Sequence, residues 1–184
     1  MLTTLDIKEP GLNVLPPGVE RHSVNIGGLT GLQIFPDDQI EVINEEGNQI
    51  CEIICFDKNG KPELGILNLK ENSKKSFIKE ILNNNEESSL ITKLQLKKRN
   101  LNINNSKSSI IFDKDSSSGE KVKLKSKDKC YVIFSAPKNE MLISDQNPSG
   151  DLTIFIKRAK INKDKELSII PDPVYDPSYE KNID

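Results

Sequence analysis

One isolated acid and one isolated histidine are the side chains that could do chemistry within the apolar segments of this sequence. Glu52 lies in the segment at residues 49–56, where nearly every other residue is apolar, and a buried carboxylate without a partner is costly. The segment therefore predicts an ion pair between Glu52 and Arg21 or Arg158, or a place for Glu52 in a polar pocket. His22, beside Arg21, is interpreted as either a surface histidine or a ligand contact.

The cysteines Cys51, Cys55 and Cys130 all fall in apolar segments. Such positions favour buried, reduced thiols of a cytosolic protein. A metal site is the alternative, and a hydrolytic zinc needs about three protein ligands and an open position. Because His22 is the single histidine, only His22, Cys51 and Cys55 could together form such a set. We therefore expect no metal site and no catalytic residue in this segment.

The composition excludes several classes of protein. The chain has 184 residues, of which 35% are hydrophobic and 29% are charged, and its net charge is −2. No segment approaches the roughly 20 apolar residues of a membrane span, and the N-terminus lacks the pattern of a secretion signal. The short basic cluster at residues 97–99 is interpreted as a helix end. We expect a cytoplasmic protein that binds neither nucleic acid nor membrane.

Short apolar segments separated by Gly, Pro and Asn predict a mainly β fold, either a distorted β-barrel or a two-sheet sandwich. The polar turn at residues 45–48, with Gly47 and Asn48, predicts a hairpin between its flanking strands. Gln49 is interpreted as a residue at the start of the second of these strands. Strands are predicted at residues 12–15, 19–26, 29–35, 39–43, 49–56, 64–69, 110–112, 121–124, 130–134 and 152–156.

Two short helices are predicted between residues 73 and 99, where the apolar period changes. The second helix carries Leu90, Ile91 and Leu94, and we expect the pair to plug the end of a barrel or to cover a sheet edge. The predicted division is an N-terminal arm at residues 1–11, a β-rich domain at residues 12–162, and a Pro-rich linker toward a following domain at residues 163–184.

Three stretches resemble the urea carboxylase-associated family, whose better-known members are carboxyguanidine deiminases. They are PPGVERHSV at residues 16–24, PDDQIEVINEEGNQICEIICF at residues 36–56, and GDLTIFIKRAK at residues 150–160. One alternative under this resemblance is that a polar pocket of the family survives around four residues of this chain and holds an amine-, guanidine- or urea-type molecule. These pocket residues are Arg21, His22, Gln49 and Glu52.

One departure from the family pattern concerns catalysis. Enzymes of the family carry a later Cys-Gly-Arg-His-Asp stretch and further cysteines, where the metal and the catalytic groups are expected. The corresponding stretch here, FSAPKNEMLISDQNPSGD at residues 134–151, has no Cys and no His. The resemblance therefore implies a degenerate, non-catalytic copy of the domain, and a residual metal-dependent hydrolase is the alternative.

The tail PDPVYDPSY at residues 171–179 resembles a connector in long proteins that are similar to the glycine cleavage T-protein (aminomethyltransferase). In those proteins a degenerate copy of the domain precedes the folate-binding transferase. The resemblance implies that neighbouring domains of the same polypeptide are the partners of this chain. It also implies that no cofactor binds this segment, and that tetrahydrofolate binds elsewhere in the parent protein.

Overall fold

The computed structural model describes residues 15–139 and 149–160 of the chain. These residues form eight strands in two four-stranded antiparallel sheets, together with two α-helices and one 3-10 helix. The predicted mainly β fold is confirmed, and the two-sheet sandwich is the alternative that the structure shows. The predicted arm and linker lie outside the described residues, as does most of the strand predicted at residues 12–15. No helix in the described ranges is long and apolar enough to cross a membrane.

All eight strands begin within two residues of a predicted start. They are β1 (Val19–Val24), β2 (Gly28–Ile34), β3 (Gln39–Asn44), β4 (Cys51–Asp57), β5 (Ser109–Phe112), β6 (Glu120–Lys125), β7 (Cys130–Ala136) and β8 (Leu152–Lys157). The first sheet has the strand order β1-β8-β3-β6, and the second has the order β2-β7-β4-β5. The sandwich therefore brings together strands that are far apart in the chain.

The predicted hairpin between β3 and β4 is wrong. β3 pairs with β6 and β8 in the first sheet, whereas β4 pairs with β5 and β7 in the second. The turn has the predicted backbone, since φ is 80° at Gly47 and 56° at Asn48. Its geometry is held by Asn44, whose side chain donates to the carbonyl of Gln49 and accepts from the N–H of Gly47, both at 3.0 Å. The turn thus carries the chain from one sheet to the other.

The strand predicted at residues 64–69 is also wrong, because Leu64–Leu67 is a 3-10 helix. The side chain of Glu63 accepts a hydrogen bond from the N–H of Gly65, which satisfies a backbone donor at the start of the helix. Asn68 has a left-handed backbone with φ of 58° and ends the helix. These polar caps outweigh the apolar run that favoured a strand.

Two apolar cores hold the layers together. The first lies between the sheets and includes Ile53, Phe134 and Ile154. The second lies between the second sheet and the helices, and it includes Phe56 and Ile133. The helices are α1 (Phe77–Leu82) and α2 (Glu87–Lys98), and both contact the second sheet. β4 lies between the two cores and is covered on both faces. This position explains why its sequence is apolar on both sides, as predicted.

Candidate functional site

The four residues predicted to line a pocket lie on different sheets. Arg21 and His22 are on β1 at the edge of the first sheet, whereas Gln49 precedes β4 and Glu52 lies within β4. Arg21 is exposed, and Glu52 is fully buried on the side of the second sheet that faces α1. Among the described residues, no hydrogen bond or ion pair joins the first two side chains to the last two.

Glu52 binds the start of α1. Its Oε2 accepts a hydrogen bond from the N–H of Ile78 at 2.7 Å, while its Oε1 has no hydrogen-bond partner in the described part of the chain. Burial raises the pKa of Glu52 by more than the nearby hydroxyls of Ser108 and Ser76 lower it. Because Glu52 binds the N–H of Ile78, the predicted ion pair with Arg21 or Arg158 is wrong. Glu52 instead holds α1 against the second sheet.

Arg158 joins two other carboxylates, in a cluster that the sequence reasoning missed. Its Nε and Nη2 donate to the two oxygens of Glu20 at 2.7 and 2.9 Å, and its Nη1 donates to Oδ2 of Asp38 at 2.7 Å. Asp38 is only 1% exposed and also accepts from the backbone N–H groups of Phe35 and Ala159, both at 3.0 Å. This cluster ties β1, the turn before β3 and the end of β8 together.

His22 lies at the margin of the Arg158 cluster. Its Nε2 is 3.0 Å from Oε2 of Glu20. Partial burial raises the pKa of Glu20, but the hydrogen bonds from Arg158 and His22 outweigh burial, so that the pKa is lowered overall. The available signal in the sequence was a set of charged residues at strand ends, and it could not show that residues 120 to 138 positions apart meet.

Gln49 is fully buried beside the end of β7. Its Nε2 donates to the carbonyls of Ile50 and Pro137, both at 2.9 Å, while its Oε1 has no partner among the residues that the structure describes. The side chain thus holds the start of β4 against the segment that follows β7. It also leaves one buried acceptor unused.

The predicted buried, reduced cysteines are confirmed, since Cys51, Cys55 and Cys130 are all free and buried. A hydrogen bond with Cys130, together with burial, raises the pKa of Cys55, and burial raises the pKa of Cys51. A cysteine binds a metal as its thiolate, a form that the raised pKa of Cys51 and of Cys55 disfavours. His22 lies on the other sheet beside Glu20. Within residues 15–139 and 149–160, no three His, Cys, Asp or Glu side chains form a group that could hold a metal. These residues do not fit the metal of the resembled enzymes.

An open groove of about 660 Å³ lies on the outer face of the first sheet. Leu15, Val19 and Phe155 supply its apolar lining, and lysines of β6 and β8 stand around them. The strand register places Arg21, Phe155, Glu41 and Lys123 in one row across the four strands. Of the four predicted pocket residues, Arg21 therefore lies beside this groove.

The side chains around the groove are mainly cationic. The lysines of β6 point outward from the edge strand, as the sequence predicted. Nζ of Lys123 lies 3.7 Å from Oε1 of Glu41, and Nζ of Lys125 lies 3.0 Å from Oδ1 of Asp37. We call this surface the basic face and define it as Val19, Arg21, Glu41, Phe155, Lys157 and the three β6 lysines Lys121, Lys123 and Lys125. It is a basic surface with an apolar centre on a chain whose net charge is −2.

No family model matches the chain. A curated protein, the trimethylamine-oxide aldolase of Ruegeria pomeroyi, is 29% identical over 171 residues, which are 93% of this chain and 22% of the relative. The chain thus spans less than a quarter of the length of the relative that it matches. The similarity is to one part of a larger protein, as the sequence predicted. The urea carboxylase-associated family and the glycine cleavage T-protein remain resemblances of the sequence alone.

Proposed function

We propose that this chain is a non-catalytic domain of a longer, aminomethyltransferase-like protein and that it serves packing between domains. The observation that carries the proposal is the alignment, which covers 93% of this chain but only 22% of a relative described as an aldolase. We assign one-carbon chemistry and tetrahydrofolate to other domains of the longer protein, and we expect it to be cytoplasmic.

The use of the buried polar groups supports a structural role. Arg158 binds two carboxylates, Glu52 binds α1, and the thiol of Cys55 contacts that of Cys130. Each of these groups is engaged in contacts within the domain, and the charged groups among them would otherwise be costly to bury. The groups that could have formed an active site are therefore engaged in holding the fold together.

The basic face is the proposed docking surface for a neighbouring domain of the same polypeptide. Interfaces between proteins combine an apolar centre with a polar rim, and here Phe155 and Val19 are surrounded by Lys123, Lys125 and Lys157. Such a surface fits a partner with an acidic rim, because complementary charges speed association and exclude other partners. A second copy of this chain would present the same cations and would be repelled.

We expect Phe155→Ala and Lys123→Glu each to weaken docking by about tenfold or more, because one removes the apolar centre and the other reverses a rim charge. The measurement is calorimetric titration of the 184-residue chain with the Ruegeria pomeroyi relative from which the aligned part has been deleted. Lys74→Glu is the matched control, since Lys74 is exposed on the opposite side of the domain near α1. Absence of binding by the parent chain, or equal affinity of all variants, would refute the proposal.

Binding of a small amine-, guanidine- or urea-type molecule is a second candidate, favoured by the two unused acceptors. Oε1 of Gln49 and Oε1 of Glu52 are buried without partners in the described residues, and acceptors of this kind suit a ligand rich in N–H groups. We expect such a ligand to raise Tm in a thermal-shift screen with guanidine, urea, glycine derivatives and folate. Glu52→Gln should reduce the rise, and no rise with any compound would count against this candidate.

A further inference from the structure

The outward surface of α2 is apolar, which is the reverse of the usual pattern for a helix that covers a sheet. Leu90 and Ile91 are each 48% exposed and Leu94 is 67% exposed, whereas Ser89 and Thr92 are buried. The sequence predicted that the two helices plug the end of a barrel or cover a sheet edge. In the structure α2 packs on β2, an edge strand of the second sheet, with Ser89, Thr92 and Leu96 turned inward. We define the α2 face as Glu87, Leu90, Ile91, Leu94, Lys97 and Lys98, which share one side of the helix by their spacing.

The buried side of α2 tolerates polar residues because their hydroxyls are satisfied. Ser89 donates to the carbonyl of Ile81 at 2.8 Å, and Thr92 donates to the carbonyl of Ser88 at 2.8 Å. On this side Leu96 joins the core beneath the helices, whereas Leu90, Ile91 and Leu94 stay exposed on the other side. No described residue covers them, and three exposed large apolar side chains on one helix indicate an interaction surface.

The apolar surface continues beyond the helix. A groove of about 410 Å³ beside α2 is lined by Ile26 and Ile91 together with polar residues such as Asn25 and Glu86, and Ile26 is itself 37% exposed. The exposed apolar area is therefore wider than one helix face. A partner that covers α2 would also reach the link between β1 and β2.

We propose that the α2 face binds a second copy of this chain through an antiparallel pair of α2 helices. The charges on the helix select this arrangement, since its first turn carries Glu87 and its last turn carries Lys97 and Lys98. Antiparallel pairing sets the acidic end of each helix beside the basic end of the other, and it also opposes the helix dipoles favourably. Parallel pairing would set like charges together.

The two-fold symmetry fixes the register of this pair. With the axis at position 92, Leu90 of each copy contacts Leu94 of the other, and Glu87 contacts Lys97 of the other. Both contacts obey the same symmetry, as an isologous interface requires. The proposal does not rest on the proposed function, because the basic face lies on the first sheet and α2 packs on the second.

Sedimentation velocity of the 184-residue chain over a concentration series tests the proposal. We expect a monomer–dimer equilibrium whose dissociation constant rises about tenfold or more in Leu94→Gln. Glu87→Lys and Lys97→Glu should each weaken the dimer, and the double variant should restore it, because each swapped charge meets the opposite swapped charge. All of these positions are exposed, so at concentrations where the parent is monomeric the Tm of each variant should stay within the error of the parent value.

Disulfide trapping tests the register itself. An equal mixture of Leu90→Cys and Leu94→Cys chains should cross-link more under mild oxidation than either variant alone, and the native cysteines are buried and do not compete. A chain that is monomeric at every concentration would overturn the proposal, as would a double charge variant weaker than both single ones. In either outcome the α2 face would belong to a different partner, such as a neighbouring domain.

Discussion

Arg158→Ala is expected to lower the free energy of unfolding by about 3–5 kcal/mol, because it leaves a buried carboxylate without its cation. Asp38 is 1% exposed, and among the described residues Arg158 is the side chain that binds it, at 2.7 Å between Nη1 and Oδ2. The guanidinium also donates to the carbonyl of Gln33 at 3.0 Å, so the substitution removes contacts to three segments of the chain. Urea denaturation of the parent and the variant measures the difference.

Two matched variants separate this effect from a general loss of charge. Arg158→Lys keeps the charge but cannot donate to both oxygens of Glu20, so we expect an intermediate loss. Lys157→Ala removes a neighbouring cation that is exposed, and its cost should be within about 0.5 kcal/mol. If Arg158→Ala and Lys157→Ala were equally stable, the Arg158 cluster would not hold the sheets together.

The Arg158 cluster also makes the free energy of unfolding depend on pH in the acid range. The pKa of Glu20 is lowered from its ordinary value of 4.5 in the folded chain. Its stabilising contribution is therefore present above pH 4.5 and is lost as the pH falls through the lowered pKa. We expect Glu20→Gln to remove part of this acid dependence of unfolding.

Glu52→Ala is expected to cost about 3 kcal/mol, because it removes the acceptor for a buried backbone donor and leaves a void beside α1. The N–H of Ile78 donates to Oε2 of Glu52 at 2.7 Å, and no other acceptor for it lies within residues 15–139 and 149–160. Glu52→Gln is the matched control, since its amide oxygen can still accept that hydrogen bond. Equal stability of the alanine and glutamine variants at pH 8 would show that Glu52 does not anchor α1.

The pH dependence of Glu52 has the opposite sign to that of Glu20. Burial raises its pKa above 4.5 in the folded chain, so its full contribution is present below pH 4.5 and is lost as the pH rises through the raised value. Glu52→Gln cannot ionise, and it should therefore gain stability relative to the parent as the pH rises. Denaturation curves of both chains at several pH values measure this gain.

The positions of the strands could be predicted from the sequence, but their pairing could not. Alternating apolar residues and Gly or Asn turns mark where β3 and β4 begin and end, and the positive φ at Gly47 and Asn48 was expected. The same residue types serve a hairpin and a crossing between sheets. The outcome depends on the partners of β3, which are β6 and β8, and both of these strands lie far from β3 in the sequence.

The candidate site shows the same limit. Glu52 was recognised as an unusual buried acid, but its partner is a backbone N–H of α1, which no residue type marks. Arg158 was considered as a partner, yet the carboxylates that it binds lie 120 and 138 residues away. The sequence also could not predict which side of α2 faces the sheet. Ser89 and Thr92 can be buried only because their hydroxyls donate to the carbonyls of Ile81 and Ser88.

We propose that the buried polar groups serve the fold and that the domain functions through its surface. Hydrogen exchange of the 184-residue chain, with and without the Ruegeria pomeroyi relative that lacks its aligned part, distinguishes a surface role from a buried site. We predict slower exchange on binding in β1, β3, β6 and β8, the strands that carry the basic face. Protection confined to the segments around Gln49 and Glu52, or no change at all, would contradict it.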